Sequence, residues 1–197
     1  MASIVCHDTV VNIYGQDRFY ICGVQELLTD FFAVFTPLKN DNSSLPDFWV
    51  LPRLLDVCFF VQKADKNKKS IIFCLESHMR ILSNLRSLGE IIFVPIYATV
   101  KLVNALLFSF FVERKELGFS ATNSKQEKIP ETITRTLALL LSGMPPKRIS
   151  HVRNIDIKTV SLHKRIAMSE LNVVSLPELV VKAWALGLDG EFSFTGR

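Results

Sequence analysis

The sequence predicts two folding units of different class: an α/β unit over residues 1–117 and an all-α unit over residues 129–190, joined by a linker at 118–128. Three observations support this division. Strand-like and helix-like segments alternate in the first part, whereas only helical spacing follows in the second. Residues 118–128, GFSATNSKQEK, are small and polar without any periodicity, which is typical of a linker.

The first unit is predicted to hold a parallel sheet with helices on both faces. Its predicted strands are almost continuously apolar, as strands buried on both faces are, and segments of helical spacing separate them. The predicted strands are residues 3–6, 33–38, 55–61, 71–75 and 91–97, and the predicted helices are residues 19–32, 77–88 and 99–112.

The apolar stretch Ile91–Val112 is 22 residues long with one charge, Lys101, and is therefore long enough to span a membrane. Pro95, the β-branched first half and the central Lys101 instead favour a strand followed by a helix, so no membrane association is expected. The four cysteines (Cys6, Cys22, Cys58 and Cys74) include no C-x-x-C pair. Buried free thiols in a reducing cytosol are expected.

The alternation of the first unit resembles the receiver domain of bacterial response regulators. A working receiver needs acidic residues after strand one, an aspartate at the end of strand three and a lysine after strand five. Here Asp8 is a single acid after the first strand, and the predicted third strand ends in Phe60–Lys63, FVQK. Asp56 opens that predicted strand and would point away from the site, and no lysine follows Val94–Tyr97. We therefore predict a degenerate, regulatory or dimerisation domain that is not phosphorylated.

The second unit is predicted to contain four helices. The first covers residues 132–142, with Ile133, Leu137, Leu140 and Leu141 on one face, and ends at Gly143. Pro146 begins a short helix whose Ile149 and Val152 are predicted to face the core. A turn at Asn154–Ile155 leads to Asp156, the predicted N-cap of the third helix. Ser175 and Glu178 form a predicted capping box for the last helix, residues 176–186.

At about 100° per residue, the third helix has two distinct faces. Val160, His163 and Ala167 share one arc, predicted to face the other helices, while Lys158, Ser161, Leu162, Arg165 and Ser169 lie opposite. Arginine suits a guanine edge, leucine a thymine methyl group and serine either groove edge. A lysine and a threonine at the helix start suit phosphates. The predicted DNA-contacting residues are Lys147, Lys158, Thr159, Ser161, Leu162, Lys164 and Arg165.

Charge agrees with this assignment. Residues 1–118 carry 12 Lys/Arg against 12 Asp/Glu, whereas residues 119–197 carry 11 against 7. The whole formal excess of +4 therefore lies in the second part, as in a polyanion-binding module attached to a neutral unit.

From Ile129 to about Ala183 the chain resembles the C-terminal domain of the LuxR/FixJ (NarL-type) bacterial transcription regulators. The resemblance rests on Lys158–Val160 and His163 (KTV-x-x-H), placed after Gly143, Ile149 and Ile155 with five residues between each. It implies a four-helix domain that binds double-stranded DNA through Ser161, Leu162 and Arg165. It also implies dimer contacts through the last helix, with this chain or with another regulator.

Several positions depart from the family pattern. Thr132–Ile133 replaces a paired Arg-Glu, Ser150 a small alanine, Arg153 a packed leucine, Asp156 a serine cap and Glu170 a lysine. Arg153 and Ile133 are expected to loosen the packing, and Glu170 to weaken phosphate binding. Members with divergent N-terminal domains control fimbrial or capsule genes, so the resemblance implies a fimbrial or other surface-structure operon as the target.

Nothing in the sequence indicates an enzyme. His7, His78, His151 and His163 have no metal-ligand spacing, His7–Asp8 is an isolated polar pair, and no Gly-rich phosphate loop is present. We expect no catalytic residue, cofactor or metal. A second hypothesis remains, in which the chain pairs with another transcription factor and blocks its DNA binding. Arg153 and Glu170 favour that hypothesis, whereas the exposed Lys158 and Arg165 oppose it.

Overall fold

The computed structural model describes residues 2–6, 9–35, 45–65, 67–83, 85, 88, 90–113 and 129–188. Contacts group residues 1–79 and 86–122 into an N-terminal unit, and residues 80–85 and 123–197 into a C-terminal unit. The predicted linker at 118–128 lies outside the described residues, so the predicted domain boundaries stay a prediction.

The N-terminal unit is built on one five-stranded sheet in the order β1-β2-β3-β4-β5. Strands β2 to β5 are parallel, with Ile13, Phe48, Ile71 and Ile92 aligned across them. This confirms the predicted parallel α/β sheet. The strands are β1 (Ala2–Cys6), β2 (Thr9–Gly15), β3 (Asp47–Leu51), β4 (Ser70–Cys74) and β5 (Ile91–Pro95).

One edge of the sheet differs from a receiver. The receiver sheet has the order 2-1-3-4-5, whereas here the edge position beside β2 is occupied by β1, which precedes β2 in the chain and pairs antiparallel with it. Strand β2 is not among the strands predicted from the sequence. The receiver-like part is therefore the four-stranded parallel portion with its helices.

Helices α1 (Arg18–Val34) and α4 (Val100–Phe108) cover one face of the sheet, and a π-helical turn (Ser109–Glu113) continues α4. Phe31 and Phe32 of α1 meet Phe111 at ring-centroid distances of 6.1 and 5.4 Å. Helix α1 begins where the carboxylate of Asp17 accepts hydrogen bonds from the backbone N–H groups of Phe19 and Tyr20. These contacts form the larger apolar core of the unit.

The opposite face is covered by α2 (Leu54–Lys63), and α3 (Glu76–Leu82) follows β4. Trp49 of β3 stacks on Tyr14 at 4.4 Å and meets Phe60 of α2 at 4.9 Å. His78 of α3 is bound through Nδ1 to the carbonyl oxygen of Leu51, at 2.9 Å. Helices thus lie on both faces, as predicted.

Two predicted strands are wrong. The strand predicted at 55–61 is helix α2, in which Val57 and Phe60 are buried three residues apart while Leu55 is 71% exposed. The true third strand is β3, whose five residues are all buried. The strand predicted at 33–38 begins inside α1, because Ala33 and Val34 are its last residues; residues 36–38 lie outside the described part.

The other predicted elements of this unit agree more closely. Strands 71–75 and 91–97 are β4 and β5, and helix 99–112 is α4 with its π-helical turn. Helix 77–88 is only partly confirmed as α3, which begins one residue earlier, at Glu76, but ends at Leu82; the described residues Ser83, Leu85 and Leu88 are not helical. Gly89, its predicted end, lies outside the described residues. In the described part of the chain, none of the helices has the length and apolar character needed to cross a membrane.

The cysteine prediction holds for one of three described side chains. Cys74 is buried, and desolvation raises the pKa of its thiol to about 12. Cys58 is half-buried, and Cys22 is exposed on α1, so the prediction of buried thiols was wrong for Cys22. The side chain of Cys6, like residues His7 and Asp8, lies outside the described part.

The C-terminal unit contains four helices within residues 129–188, in agreement with the prediction. They are α5 (Glu131–Leu141), α6 (Pro146–Arg153), α7 (Ile157–Glu170) and α8 (Leu176–Ala185). Gly143, with φ +76°, follows the end of α5, and Pro146 opens α6, as expected for a left-handed stop and a helix-starting proline.

Candidate nucleic-acid interface

Helices α5, α6 and α7 pack around a small apolar core. Its almost fully buried side chains are Ile133 and Leu137 of α5, Ile149 of α6, and Val160 and Ala167 of α7. Burying such side chains supplies roughly 1.5–3 kcal/mol for each large one. The core therefore fixes the position of α7 relative to the two preceding helices.

One core prediction on α6 was wrong. Ile149 is buried, but Val152 is 59% exposed. On a helix, the residue four positions after Ile149 lies about 40° from it, whereas the residue three positions after lies about 60° away on the other side. Helix α6 is turned so that Arg153, not Val152, lies against α5.

Arg153 and Ile133, the two departures expected to loosen the packing, are both accommodated. Ile133 is buried. The guanidinium of Arg153 donates a hydrogen bond from Nη2 to the carbonyl oxygen of Thr132, at 3.5 Å, although its Nε is buried without a partner in the described residues. The arginine thus joins α6 to α5 through its guanidinium.

The turn between α6 and α7 is three residues long. Asn154 has φ 50° and ψ 48°, the left-handed conformation that asparagine tolerates better than most residues. The backbone N–H of Ile155 returns to the carbonyl oxygen of Ser150, and the carboxylate of Asp156 accepts from the N–H of Lys158 at 2.6 Å. This confirms Asp156 as the N-cap and gives α6 and α7 the arrangement of a helix-turn-helix.

His163 joins α7 to α5. Its Nδ1 lies 2.9 Å from Oγ1 of Thr136, which is fully buried and also lies 3.1 Å from the carbonyl oxygen of Thr132. Because the threonine hydroxyl has one hydrogen and donates it to Thr132, Oγ1 accepts from Nδ1–H of His163. The histidine therefore has a packing role, as the sequence analysis predicted.

The outward face of α7 has the predicted composition. Its exposed side chains include Lys158, Ser161, Leu162, Arg165 and Ser169, opposite the buried Val160 and Ala167. Thr159 and Lys164 are half-buried, and Lys147 is exposed in the first turn of α6. The hydroxyl of Ser161 donates to the carbonyl oxygen of Ile157 and keeps its lone pairs available as acceptors. The contacts of these residues with bases and phosphates stay predictions.

Two exposed side chains near this face were left out of the sequence prediction. Arg148 follows Lys147 in the first turn of α6, and Ile157 is the first residue of α7. The sequence did indicate Arg148 as a candidate, since it is a second cation directly beside Lys147. An isoleucine is predicted by default to be buried, so the sequence alone gave no reason to place Ile157 at the surface.

Helix α8 begins with a variant of the predicted capping box. Oγ of Ser175 accepts from the N–H of Glu178 at 3.4 Å, and the Glu178 carboxylate accepts from the N–H of Val174 rather than of Ser175. Reciprocal caps of this kind stabilise a helix start.

Residues 134–183 match the family model described as bacterial regulatory proteins, luxR family. The segment is a LuxR-type helix-turn-helix domain. The match extends from the fourth residue of α5 to Ala183 in α8, so it includes the turn, the capped helix α7 and most of α8. The match supports a DNA-binding transcription regulator, since the luxR family is a family of regulators rather than of enzymes. Neither curated proteins nor solved structures gave a match to the chain.

In the N-terminal unit, the carboxyl edge of the sheet is the place where a receiver would carry its acidic site. Strand β3 ends at Leu51 and is followed by Pro52 and Arg53. Arg53 donates through Nη2 to Asp56 at 3.2 Å and to Oε1 of Gln16 at 3.2 Å. Asp56 is buried in the first turn of α2, which corrects its predicted place at the start of a strand.

The remaining receiver positions also lack the expected residues. Strand β5 ends at Pro95 and is followed by Ile96, and the acid nearest the end of β2, Asp17, caps α1. Among the residues that the structure describes, no three His, Cys, Asp or Glu side chains gather as a metal site would require.

Proposed function

We propose that this regulator binds its operator by placing α7 in the major groove, with Ser161, Leu162 and Arg165 towards the base edges. Lys147, Lys158, Thr159 and Lys164 would contact phosphates. The observation that carries the proposal is the outward face of α7, which offers a cation, a hydroxyl and an apolar side chain on a helix fixed by its core and its cap. Base edges in the major groove are recognised by this set of groups.

Helix α8 supports the proposal of a dimer. Leu176 and the preceding Val174 are exposed apolar side chains at its start, and a palindromic operator requires two α7 helices about one DNA turn apart. We propose a homodimer, or a heterodimer with another regulator, acting on the chromosome in the bacterial cytoplasm.

We further propose that the N-terminal unit is not switched by phosphorylation. The described strand ends offer Pro52, Arg53 and Ile96 where a receiver has its aspartate and lysine, and Asp56 is engaged by Arg53. A LuxR-type domain attached to such a unit resembles regulators of surface structures, and we therefore propose a fimbrial or other surface-structure operon as the target.

The experiment is to map promoter occupancy in cells with the tagged protein, then test the enriched promoters by gel shift. Enrichment upstream of surface-structure genes, with a shift by the purified protein alone, supports the proposal. Enrichment elsewhere would refute the operon but not the DNA binding.

The second candidate function is titration of another transcription factor. The apolar Val174 and Leu176 favour it, since they suit a protein contact. The same gel shift can include a candidate partner already bound to its DNA. If this protein removes the partner from the DNA but shifts no DNA by itself, titration is favoured over direct operator binding.

A further inference from the structure

We propose that the N-terminal unit binds a small, uncharged, mainly apolar molecule in a pocket between α1 and the start of α4. The pocket has a volume of about 310 Å³. Its floor and walls include Val24 and Leu27 of α1, Phe73 of β4 and Val103 of α4. None of the described residues that line it is charged, and burying a charge against apolar walls is costly, so the ligand is uncharged.

The pocket lies where open α/β sheets bind their ligands, outside the carboxyl ends of parallel strands. Phe73 is near the end of β4, and Pro95 is the last residue of β5. The volume is at the lower end of the range for ligand pockets, about 300–1,000 Å³. Since an apolar cavity of about 150 Å³ holds one benzene ring, this pocket suits a molecule of about two rings.

Gly23 is an independent indication of a ligand. It lies inside α1, where glycine is the least favourable residue after proline. Its backbone does not have a positive φ, and a Cβ added to it would meet nothing within 4 Å. The fold therefore does not require a glycine there, but its missing side chain keeps one wall of the pocket open.

Aromatic side chains stand at the mouth of the pocket. Phe19 lines it and is 92% exposed, and the neighbouring Tyr20 lines it and is also exposed. Tyr97 and Val100, next to the lining residues Ile96 and Ala98, are exposed as well. Exposed apolar side chains that cluster around a concave site indicate a binding surface, and a flat ring can stack on them.

A small molecule fits the pocket better than a second copy of the chain, because the pocket extends inward to buried side chains. Val24, Phe73 and Val103 are all buried beneath it. A ligand that reaches them contacts buried apolar walls, while the open mouth leaves part of its surface in water.

The test uses the full chain and the neutral two-ring fluorescent probe prodan, 6-propionyl-2-dimethylaminonaphthalene. We expect saturable binding with one probe per chain. Gly23→Leu fills the pocket and should weaken binding at least 10-fold. Phe19→Ala, at a side chain almost fully in water, should weaken it several-fold without affecting folding. Gly23→Ala and Cys22→Leu are the matched controls: the first improves helix propensity without filling the pocket, and the second adds an apolar group outside it.

Absence of saturable binding to the wild type would overturn the proposal. So would unchanged binding in Gly23→Leu and Phe19→Ala, because the probe would then lie elsewhere, or an equal loss in Cys22→Leu. Light scattering of the same samples tests whether a second copy of the chain occupies the pocket instead. If Gly23→Leu converts a dimer to a monomer while the wild type binds no probe, the pocket is an interface between copies. These outcomes do not depend on DNA binding.

Discussion

The two units of the molecule use their positive side chains differently. In the N-terminal unit, basic residues at the ends of strands and helices are held by carboxylates, in the pairs Arg53–Asp56 at 3.2 Å, Lys68–Asp47 at 2.6 Å and Lys69–Glu90 at 2.7 Å. On α6 and α7, Lys147, Lys158 and Arg165 make no ion pair with the residues that the structure describes. Cations without a carboxylate partner are available to phosphates, so pairing distinguishes the cations of α6 and α7 from these three of the N-terminal unit. Within the C-terminal unit, Arg135 of α5 does pair, with Glu131.

The difference also has a structural cause. Asp56 is 1% exposed and Asp47 is buried, and a buried carboxylate must be paired or hydrogen-bonded. Asp156, at the start of α7, is exposed and is satisfied by the backbone of its own helix. The helix therefore needs no cation to neutralise its cap, and Lys158 stays free on its surface.

The largest expected effect is on the salt dependence of DNA binding. If Lys147, Lys158 and Lys164 each neutralise a phosphate, the affinity of one chain should fall about 40-fold between 50 and 200 mM salt. Fluorescence anisotropy with a labelled operator across a salt series measures this. A flat response would show that the unpaired cations do not contact DNA, and the comparison between the units would lose its functional meaning.

Two substitutions on α7 should separate base contacts from phosphate contacts. Arg165→Ala should cost roughly 1–3 kcal/mol on the correct operator and relax the preference at one base pair. Lys158→Ala should weaken all sequences alike and reduce the salt slope by about one unit. Gel shifts on specific and scrambled DNA make the distinction, with circular dichroism as the folding control. Intact operator binding in Arg165→Ala would make titration of a partner the leading hypothesis.

The opposite pattern is expected for the paired cation of the N-terminal unit. Arg53→Ala leaves the buried carboxylate of Asp56 without its guanidinium and should destabilise the unit. The loss should be smaller than for a fully buried pair, because the Arg53 side chain is half in water. Urea denaturation measures the loss, and Arg53→Lys, which keeps the charge, should lose less. DNA affinity of the folded variant should not change; a parallel loss of affinity would contradict the separation of roles.

The cap of α7 gives a smaller effect with an internal control. Asp156→Ala removes the acceptor for the N–H of Lys158 and should cost about 1 kcal/mol of stability. Asp156→Asn keeps the acceptor but removes a negative charge beside the DNA-facing helix. It should retain most of the stability and bind DNA slightly more tightly at low salt, because phosphates are no longer repelled. Thermal unfolding measures stability and anisotropy measures DNA affinity. Equal destabilisation by both changes would mean that the hydrogen bond from the N–H of Lys158 does not account for the stability lost.

No effect is expected from a phosphoryl donor. Incubation with acetyl phosphate should leave the intact mass unchanged, because the described acids at the carboxyl edge, Asp17 and Asp56, are engaged in helix caps. An adduct mapped to either aspartate, or to Asp8, would contradict the proposal that the unit is not phosphorylated.

The C-terminal unit could be predicted closely because its helix ends are marked by residues with one local role. Gly143, Pro146, Asp156 and Ser175 each stop or start a helix through their own backbone or side chain. The outward face of α7 followed from spacing alone. The orientation of α6 did not, since both Val152 and Arg153 are compatible with the core on spacing and only packing against α5 decides between them.

The N-terminal unit was harder to predict because its buried elements are apolar on nearly every side. The segment Leu54–Val61 looks like a buried strand until Asp56 is recognised as part of a cap formed with Arg53. The fold class was still predictable, because alternation along the chain survives errors in single elements. The pocket could not be predicted, since it depends on Gly23 and Val103 from distant segments meeting in space.

The sequential order of the strands has a consequence for how the chain folds during its synthesis. Each strand from β2 to β5 adds beside the one made just before it, and β1 and β2 form a local hairpin. In a 2-1-3-4-5 sheet, by contrast, strand 3 has to pair with strand 1 on the side opposite strand 2, the strand made just before it. Since nascent chains emerge from the N-terminus at about 5–20 residues per second, each new strand can pair with the strand that was synthesised just before it.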